Sequence, residues 1–296
     1  MSDRTSDAAV LITGATGMLG SELAPHLRAR GWTVVTHART ANADCQVDLT
    51  EPAGTSAMLE RVRPRAIVNL AALTDVDACE RDPHRAYQQN LLSVEHICRW
   101  IDQGNADCHL IHVSTDQLYD GVGPHAEEGV HITNVYAFSK AAAEIAAARV
   151  NATVLRTNFF GPSKQPSRKS FTDWLHESLS ARRPIKVFDD VLFSPLAMDT
   201  VAEMIALVLS RRPRGVFNLG SRDGMSKADF GFAFASATDL AADTMQRASV
   251  SSTSLVARRP TDMRMDVRRF EQALNVTLPN LRSELNRIGR TYRERA

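Results

Sequence analysis

Through the first half of the chain, short runs rich in β-branched residues alternate with longer stretches of helical apolar spacing. That alternation predicts a parallel sheet flanked by helices. Strands are expected near Ala9 to Thr13, Thr33 to His37, Ala66 to Leu70, His109 to Ser114 and Thr153 to Arg156. Helices are expected between them, near Met18 to Arg30, Pro52 to Val62, Pro83 to Gln103 and Asn134 to Val150. The fold class is therefore α/β, a doubly wound parallel sheet of Rossmann type. Regularity weakens after Phe160, where Gly161 to Lys169 combines turn formers with three cations ahead of a helical stretch from Phe171 to Ala181. A helix from Asp199 to Arg211, a strand from Gly215 to Leu219 and helical spacing from Met263 to Ile288 follow, with no internal repeat and no low-complexity tract.

The first strand runs directly into Gly14-Ala15-Thr16-Gly17-Met18-Leu19-Gly20 and then an apolar-periodic helix. This spacing places Gly14 where a tight turn needs freedom in φ, Gly17 where backbone approaches a pyrophosphate, and Gly20 where the helix packs closely. Unpaired amides at the helix start then face the negative charge. A glycine triplet alone is weak evidence, and it gains weight from lying between a strand and a helix near the N-terminus. The domain plan that results is a dinucleotide-binding domain over 1–160, completed by parts of 190–220, and a smaller substrate lobe over 161–296.

The second strand ends at Thr36-His37-Ala38-Arg39-Thr40 with no carboxylate to accept a ribose 2′-hydroxyl. Arg39 suits a 2′-phosphate, so the cofactor expected is NADP, used as NADPH; the competing reading is a solvated arginine. Asp48-Leu49 either borders the adenine or caps the next helix.

Tyr136 and Lys140 are four residues apart, so both leave one face of their helix. An ammonium near a phenol makes the phenol a usable acid or base, and the same lysine can bind the nicotinamide ribose. With four tyrosines and five lysines in the chain, chance supplies a pair at this spacing in about 7% of such sequences. The opposite face, with Val135, Phe138, Ala142 and Ile145, is expected to pack on the sheet. The strand before this helix ends in Ser114-Thr115-Asp116, at the carboxyl end where ligands of such sheets bind. A hydroxyl there, of Ser114 or Thr115, is placed to hold a substrate carbonyl oxygen beside the phenol. Asp116 tunes that hydroxyl, touches the substrate or closes the turn, while His109 and His112 read as sheet residues.

Composition narrows the classes. With 35 basic and 34 acidic residues the net charge is +1, so no long-range field draws a nucleic acid or an anionic membrane. Cys45, Cys79, Cys98 and Cys108 form no C-x-x-C pair and read as reduced, buried thiols of a cytoplasmic protein. Met1 to Ala8 is polar, and no stretch of about 18 apolar residues occurs, so neither a signal sequence nor a membrane span is expected.

These motifs in this order resemble the extended short-chain dehydrogenases/reductases, and more narrowly the dTDP-4-dehydrorhamnose reductase group. Local matches run from Gly17 to Leu23, Val68 to Glu80, Val113 to Gly121 and Asn134 to Tyr136, then Arg156-Thr157 and Arg259-Pro260, so the likeness extends essentially end to end. The resemblance implies reduction of the 4-keto group of a nucleotide-linked 6-deoxyhexose, with Tyr136 giving the proton and Lys140 and Thr115 assisting. It also implies that Gly14, Gly17, Met18, Leu19 and Gly20 hold the cofactor pyrophosphate region, that Ala71 and Ala72 line the cofactor, and that Ser114, Asp116 and Arg259 meet the substrate.

The departures fall on the substrate side. Asn158-Phe159 stands where the family usually has Ser-Trp, and Asp190 to Leu196 replaces polar and small groups with apolar bulk. Lys164, Arg168, Lys169 and Arg258 are either further diphosphate ligands or a solvated face. Trp174 reads as helix core or as a base-stacking ring. Glu22 matches one acidic position of magnesium-binding relatives, but without partners no metal is assigned. A homodimer is the partner expected besides the substrate, by analogy with related folds. Two other functions stay open: an epimerase or dehydratase retaining NAD, and a non-catalytic NADP-binding subunit like the relative that partners methionine adenosyltransferase.

Overall fold

The computed structural model describes residues 9–40 and 42–294; the polar stretch Met1 to Ala8 lies outside them. In chain order the strands are β1 (Val10–Thr13), β2 (Val34–Ala38), β3 (Cys45–Gln46), β4 (Ala66–Asn69), β5 (His109–Thr115), β6 (Ala152–Thr157), β7 (Phe159–Phe160), β8 (Ile185–Phe188), β9 (Leu192–Phe193), β10 (Leu196–Ala197), β11 (Gly215–Leu219), β12 (Met225–Ser226) and β13 (Met245–Ala248). The helices are α1 (Met18–Ala29), α2 (Pro52–Val62), α3 (Val76–Arg81), α4 (Pro83–Ala86), α5 (Ser93–Asp102), α6 (Val135–Ala147), α7 (Phe171–Ser180), α8 (Met198–Arg211), α9 (Lys227–Ala237), α10 (Arg268–Leu274) and α11 (Leu281–Arg293).

Seven strands form one sheet in the order β11-β6-β5-β4-β1-β2-β3. From β1 the chain winds outward to β2 and β3, then returns to β4 and winds the other way. The reversal lies between β1 and β4, the kind of switch point at whose carboxyl ends such sheets bind ligands. All four residues of β1 and of β4 are buried, as expected of parallel strands covered on both faces.

The chain divides into two compact units. The first takes the described residues up to Ser114, with Asn134–Leu155 and Ala202–Phe217; the second takes Thr115–Thr133, Arg156–Val201 and residues from Asn218 onward. In the first unit, Leu11, Ile67, Ile97, Leu110 and Val154 belong to one buried cluster. In the second, Phe160, Phe193, Phe230 and Phe234 pack with Leu175, Leu281 and Leu285. Short strand pairs support that core: β7 with β10, β9 with β12 and β8 with β13.

Three expectations change. The helix expected from Pro83 to Gln103 contains a π-helical segment at Tyr87–Leu92 between α4 and α5. The helical tail resolves into α10 and α11, because Asn275 turns left-handed at φ 49° and Asn280 then caps a new helix by accepting from the Ser283 amide at 2.9 Å. On α6 the buried face is opposite to the one expected: Phe138 and Ile145 are 63% and 73% exposed, while Tyr136 and Lys140 are 7% and 2% exposed. Small side chains explain this. Ala137, Ser139, Ala143, Ala146 and Ala147 let the helix approach its neighbours closely, and close approach outweighs the bulk of two larger apolar residues.

A buried polar knot in the second unit tests how its fold is held. Arg156 Nη1 donates to the Tyr119 hydroxyl at 2.7 Å and to the Glu127 carbonyl at 2.6 Å; the hydroxyl donates to Asn218 Oδ1 at 2.6 Å. Asn218 Nδ2 in turn donates to the His125 and Asp266 carbonyls at 2.9 and 3.0 Å. Tyr119→Phe strands one donor and one acceptor, and should cost about 1–3 kcal/mol. Urea unfolding should show a lower midpoint with an unchanged slope; an unchanged midpoint would mean that the knot is replaceable.

Candidate active site

At Gly14 the backbone turns left-handed, φ +67°, and a Cβ there would stand 2.9 Å from the Ala71 amide nitrogen. The turn therefore lies directly on the end of β4. Gly17 is the N-cap of α1, without a side-chain capping bond and without an acidic residue in the first turn. Its helix start thus keeps amide donors and positive dipole for an anion. A Cβ on Gly20 would come 2.6 Å from Ala15 Cα, so this glycine closes the helix on its own loop. A cradle that side chains would fill fits a dinucleotide pyrophosphate.

Arg39 is exposed just past β2; against burial, which raises the Asp48 carboxyl, two bonds from Thr50 and the Arg39 charge hold it below its usual range. Those bonds, to the Thr50 amide at 3.0 Å and hydroxyl at 2.8 Å, make Asp48 a turn residue; the N-cap of α2 is Glu51. Leu49 beside it is buried. Asp44, which follows β2 in the chain, brings a carboxylate back to that strand, accepting from the Thr36 amide at 2.8 Å and hydroxyl at 2.6 Å.

Asn134 caps α6 by accepting from the Ala137 amide at 2.8 Å, and Glu80 accepts from the Val135 amide at 3.0 Å. Both place negative charge or dipole at the positive helix end. Asn90, in the π-helical segment, accepts from the Leu73 amide at 2.7 Å and donates to Ser139 Oγ at 2.9 Å. The widened turn thereby ties the loop after β4 to α6. One turn along α6 from Tyr136, Lys140 Nζ donates to the Val113 carbonyl at 2.8 Å on β5 and stands 3.4 Å from His112 Nε2. Burial pulls the Lys140 ammonium down to about 8, with the Glu144 carboxylate opposing. Burial and the Lys140 charge hold His112 neutral. His109 is spent within the sheet, on Asn151 Oδ1 at 3.2 Å and Thr153 Oγ1 at 2.8 Å.

The Ser114 hydroxyl is buried with no hydrogen-bond partner, a polar atom suited to a ligand. In the second unit Thr115 accepts from the Gln117 amide at 3.2 Å and donates to Asp116 Oδ1 at 3.4 Å. Asn158 donates to Asp116 Oδ2 at 2.7 Å, so the residue that departs from the family pattern holds a carboxyl in place. Burial raises Asp116 to about 6, against the pull of Asn158, Lys227 and Thr115. Lys227, which carries no local motif, begins α9 with its ammonium 5.9 Å from the Phe193 ring centroid. Burial lowers its proton affinity; the Asp116 field raises it and the Arg259 field lowers it.

Phe159 opens β7 beside Leu196, and Phe193 packs 5.3 Å from Phe230 in the aromatic core. Lys169 pairs with Glu177 and Arg258 with Asp120, the latter at 3.0 Å, and Arg259 Nη1 donates to the Ala257 carbonyl at 2.9 Å. Trp174 is not core; it is 37% exposed and stacks on Phe171 with centroids 5.8 Å apart. All four cysteines are free and buried. Among the described residues no three His, Cys, Asp or Glu side chains gather as metal ligands, and no helix is long and apolar enough to cross a membrane.

Residues 8–294 match the family model described as the RmlD substrate binding domain. The chain belongs to this family. Over 286 residues it is 29% identical to the probable low-salt glycan biosynthesis reductase Agl14 of Haloferax volcanii, spanning 93% of this chain and 95% of that one. It is 30% identical over 252 residues to a dTDP-4-dehydrorhamnose reductase of Mycobacterium tuberculosis, spanning 82% and 79%. The crystal structure of dTDP-4-dehydrorhamnose reductase from Bacillus anthracis in complex with NADP is similar with a TM-score of 0.86 over 95% of this chain and 98% of that one, at 20% identity. The family and the α/β class expected from the motifs are both borne out.

Asp116 supplies a pH test. Its folded-state affinity for a proton is raised, so its contribution to stability is full below the unfolded value near 3.8 and is lost as pH rises through about 6. The loss amounts to about 3 kcal/mol. Asp116→Asn should remove that decline, so that denaturant midpoints at pH 4.5 and pH 7.5 differ less than in the wild type. An undiminished decline in the variant would assign it to another group.

Proposed function

We propose that this chain is an NADPH-dependent reductase that converts the 4-keto group of a nucleotide-linked 6-deoxyhexose to an alcohol, in deoxysugar biosynthesis. The observation that carries the reading is the burial of Tyr136 and Lys140 on one face of α6, with the Lys140 ammonium anchored to the backbone of β5. A surface Tyr and Lys at the same spacing would have no such anchor.

Bound at the Gly14 to Gly20 turn, NADPH supplies the hydride. Tyr136 gives its hydroxyl proton to the carbonyl oxygen as charge develops there. Lys140 lowers the cost of the phenolate left behind and holds the nicotinamide ribose. Thr115 and the unpartnered Ser114 hydroxyl orient the substrate oxygen. Ala71 and Ala72, past β4, line the cofactor, and Arg39 pairs with the 2′-phosphate. In the second unit Asp116, fixed by Asn158, meets the sugar, while Arg259 with Lys227 beside it meets the diphosphate. The names of the family relatives and the NADP held by the similar crystal structure support this assignment of substrate class and cofactor.

The decisive experiment is a panel of nucleotide-linked 4-keto-6-deoxyhexoses, followed by NADPH consumption and product stereochemistry. Oxidation with at least one is expected; none with any would return weight to a regulatory role. In the same assay Tyr136→Phe should cut turnover by about 10²- to 10⁴-fold while NADPH still binds. Near-normal turnover would sink the mechanism. Arg39→Ala should weaken NADPH by about 10- to 100-fold and leave NADH nearly unchanged. Equal losses for both would rule out the 2′-phosphate contact.

A further inference from the structure

The first unit contains a row of buried polar side chains that no step above uses. Thr13 on β1 is the register partner of Asn69 on β4, and Asn69 is the register partner of His112 on β5. Neighbouring strands lie about 4.8 Å apart, so short side chains in register on one face touch. Two residues earlier on that face the row is apolar: Leu11, Ile67 and Leu110, all fully buried. The change from hydrocarbon to polar groups occurs at the ends of β1 and β4 and midway along β5, where His112 faces Lys140. Thr13, Asn69, His112 and Lys140 are each at most 2% exposed, an environment in which an unsatisfied polar atom is costly.

The hydrogen bonds in the row have a direction. Thr13 Oγ1 donates to Asn69 Oδ1 at 2.5 Å. That turns the Asn69 amide nitrogen, a group that only donates, toward His112 Nδ1 at 3.1 Å. His112 Nδ1 must then be the acceptor, and a neutral imidazole that accepts at Nδ1 carries its proton on Nε2. Nε2 is the atom that faces Lys140 Nζ at 3.4 Å. Lys140 retains the Val113 carbonyl as the acceptor for its own N–H, at 2.8 Å.

We propose that Thr13, Asn69 and His112 form a one-way donor chain that ends on Lys140, with His112 as a positioning residue that offers an N–H to the lysine and favours its amine form. The row sets how readily Lys140 gives up its proton without touching substrate or cofactor. A donor aimed at the nitrogen opposes the ammonium, the same direction in which burial acts. The titratable groups that bear on Lys140 are His112 from β5, itself held neutral and facing the lysine through Nε2, and Glu144 from α6, whose carboxylate favours the ammonium. Only the catalytic consequence rests on the reductase reading; the chain itself is measurable without substrate.

The test uses the full-length protein and two isotope labels. With ¹⁵N-histidine, the His112 ring, assigned by loss of its signals in His112→Asn, should show a protonated Nε2 and an unprotonated Nδ1. With ¹³Cε-lysine only five resonances arise, and Lys140 is assigned by Lys140→Met. Thr13→Val removes the first donor while leaving Asn69, His112 and Lys140 in place, and its fold is checked by thermal melting. It frees the Asn69 amide to turn over, so the Nδ1–H tautomer should appear and the Lys140 midpoint should rise, strengthening proton binding by roughly threefold. The opposite tautomer in the wild type, or an unmoved Lys140 midpoint in Thr13→Val, overturns the proposal. Absence of turnover on the sugar panel leaves both measurements standing, so failure of the reductase reading is distinguishable from failure of the chain.

Discussion

The first unit is organised around the placement of a buried ammonium between α6 and the sheet. A lysine at 2% exposure needs an acceptor close by, and Lys140 takes the Val113 carbonyl. That contact requires α6 to lie close to β5, which the alanines and serine of its inner face allow. It also requires a fixed helix start, which Asn134 and Glu80 provide, and a fixed neighbour, which Asn90 provides from the π-helical segment. The cost is visible on the outer face, where Phe138 and Ile145 are left in solvent.

A comparable arrangement occupies the second unit with the opposite charge. Asp116 is buried and short of compensation, so its carboxyl takes up a proton more readily than an exposed one, even with Asn158, Thr115 and Lys227 as partners. Asn158 illustrates how a departure from a family pattern is absorbed. Its amide donates to the carboxyl at 2.7 Å. Phe193 is absorbed differently, into a cluster of aromatic rings that supports the core.

Much of the first unit was legible because its signals are local. A glycine turn between a strand and a helix has a steric cause that acts over seven residues, and the five expected strands of the first half all formed within a residue or two of their expected ends. Where the expectation failed, the missing information was spatial. α9, with Phe230 and Phe234 buried and a glycine between them, shows little amphipathic contrast and was not anticipated. The inner face of α6 differs from the expected one because bulk marks a buried stripe only when large residues do the packing. Lys227 follows an ordinary helix cap, and nothing in its neighbours along the chain points to Asp116.

The sequence by itself determined the alternation of strands and helices in the first half, the turn that precedes α1, the pairing of Tyr136 with Lys140 on one helix and the family to which the chain belongs. Each of these depends on spacing within a segment, which the chain carries in one dimension. Tertiary structure alone decided that Thr13, Asn69 and His112, 56 and 43 residues apart, stand in one row, and that His112 faces Lys140. Strand order and register set that row. They emerge only when non-local hydrophobic faces are buried together, and no local pattern encodes which buried polar side chains then meet.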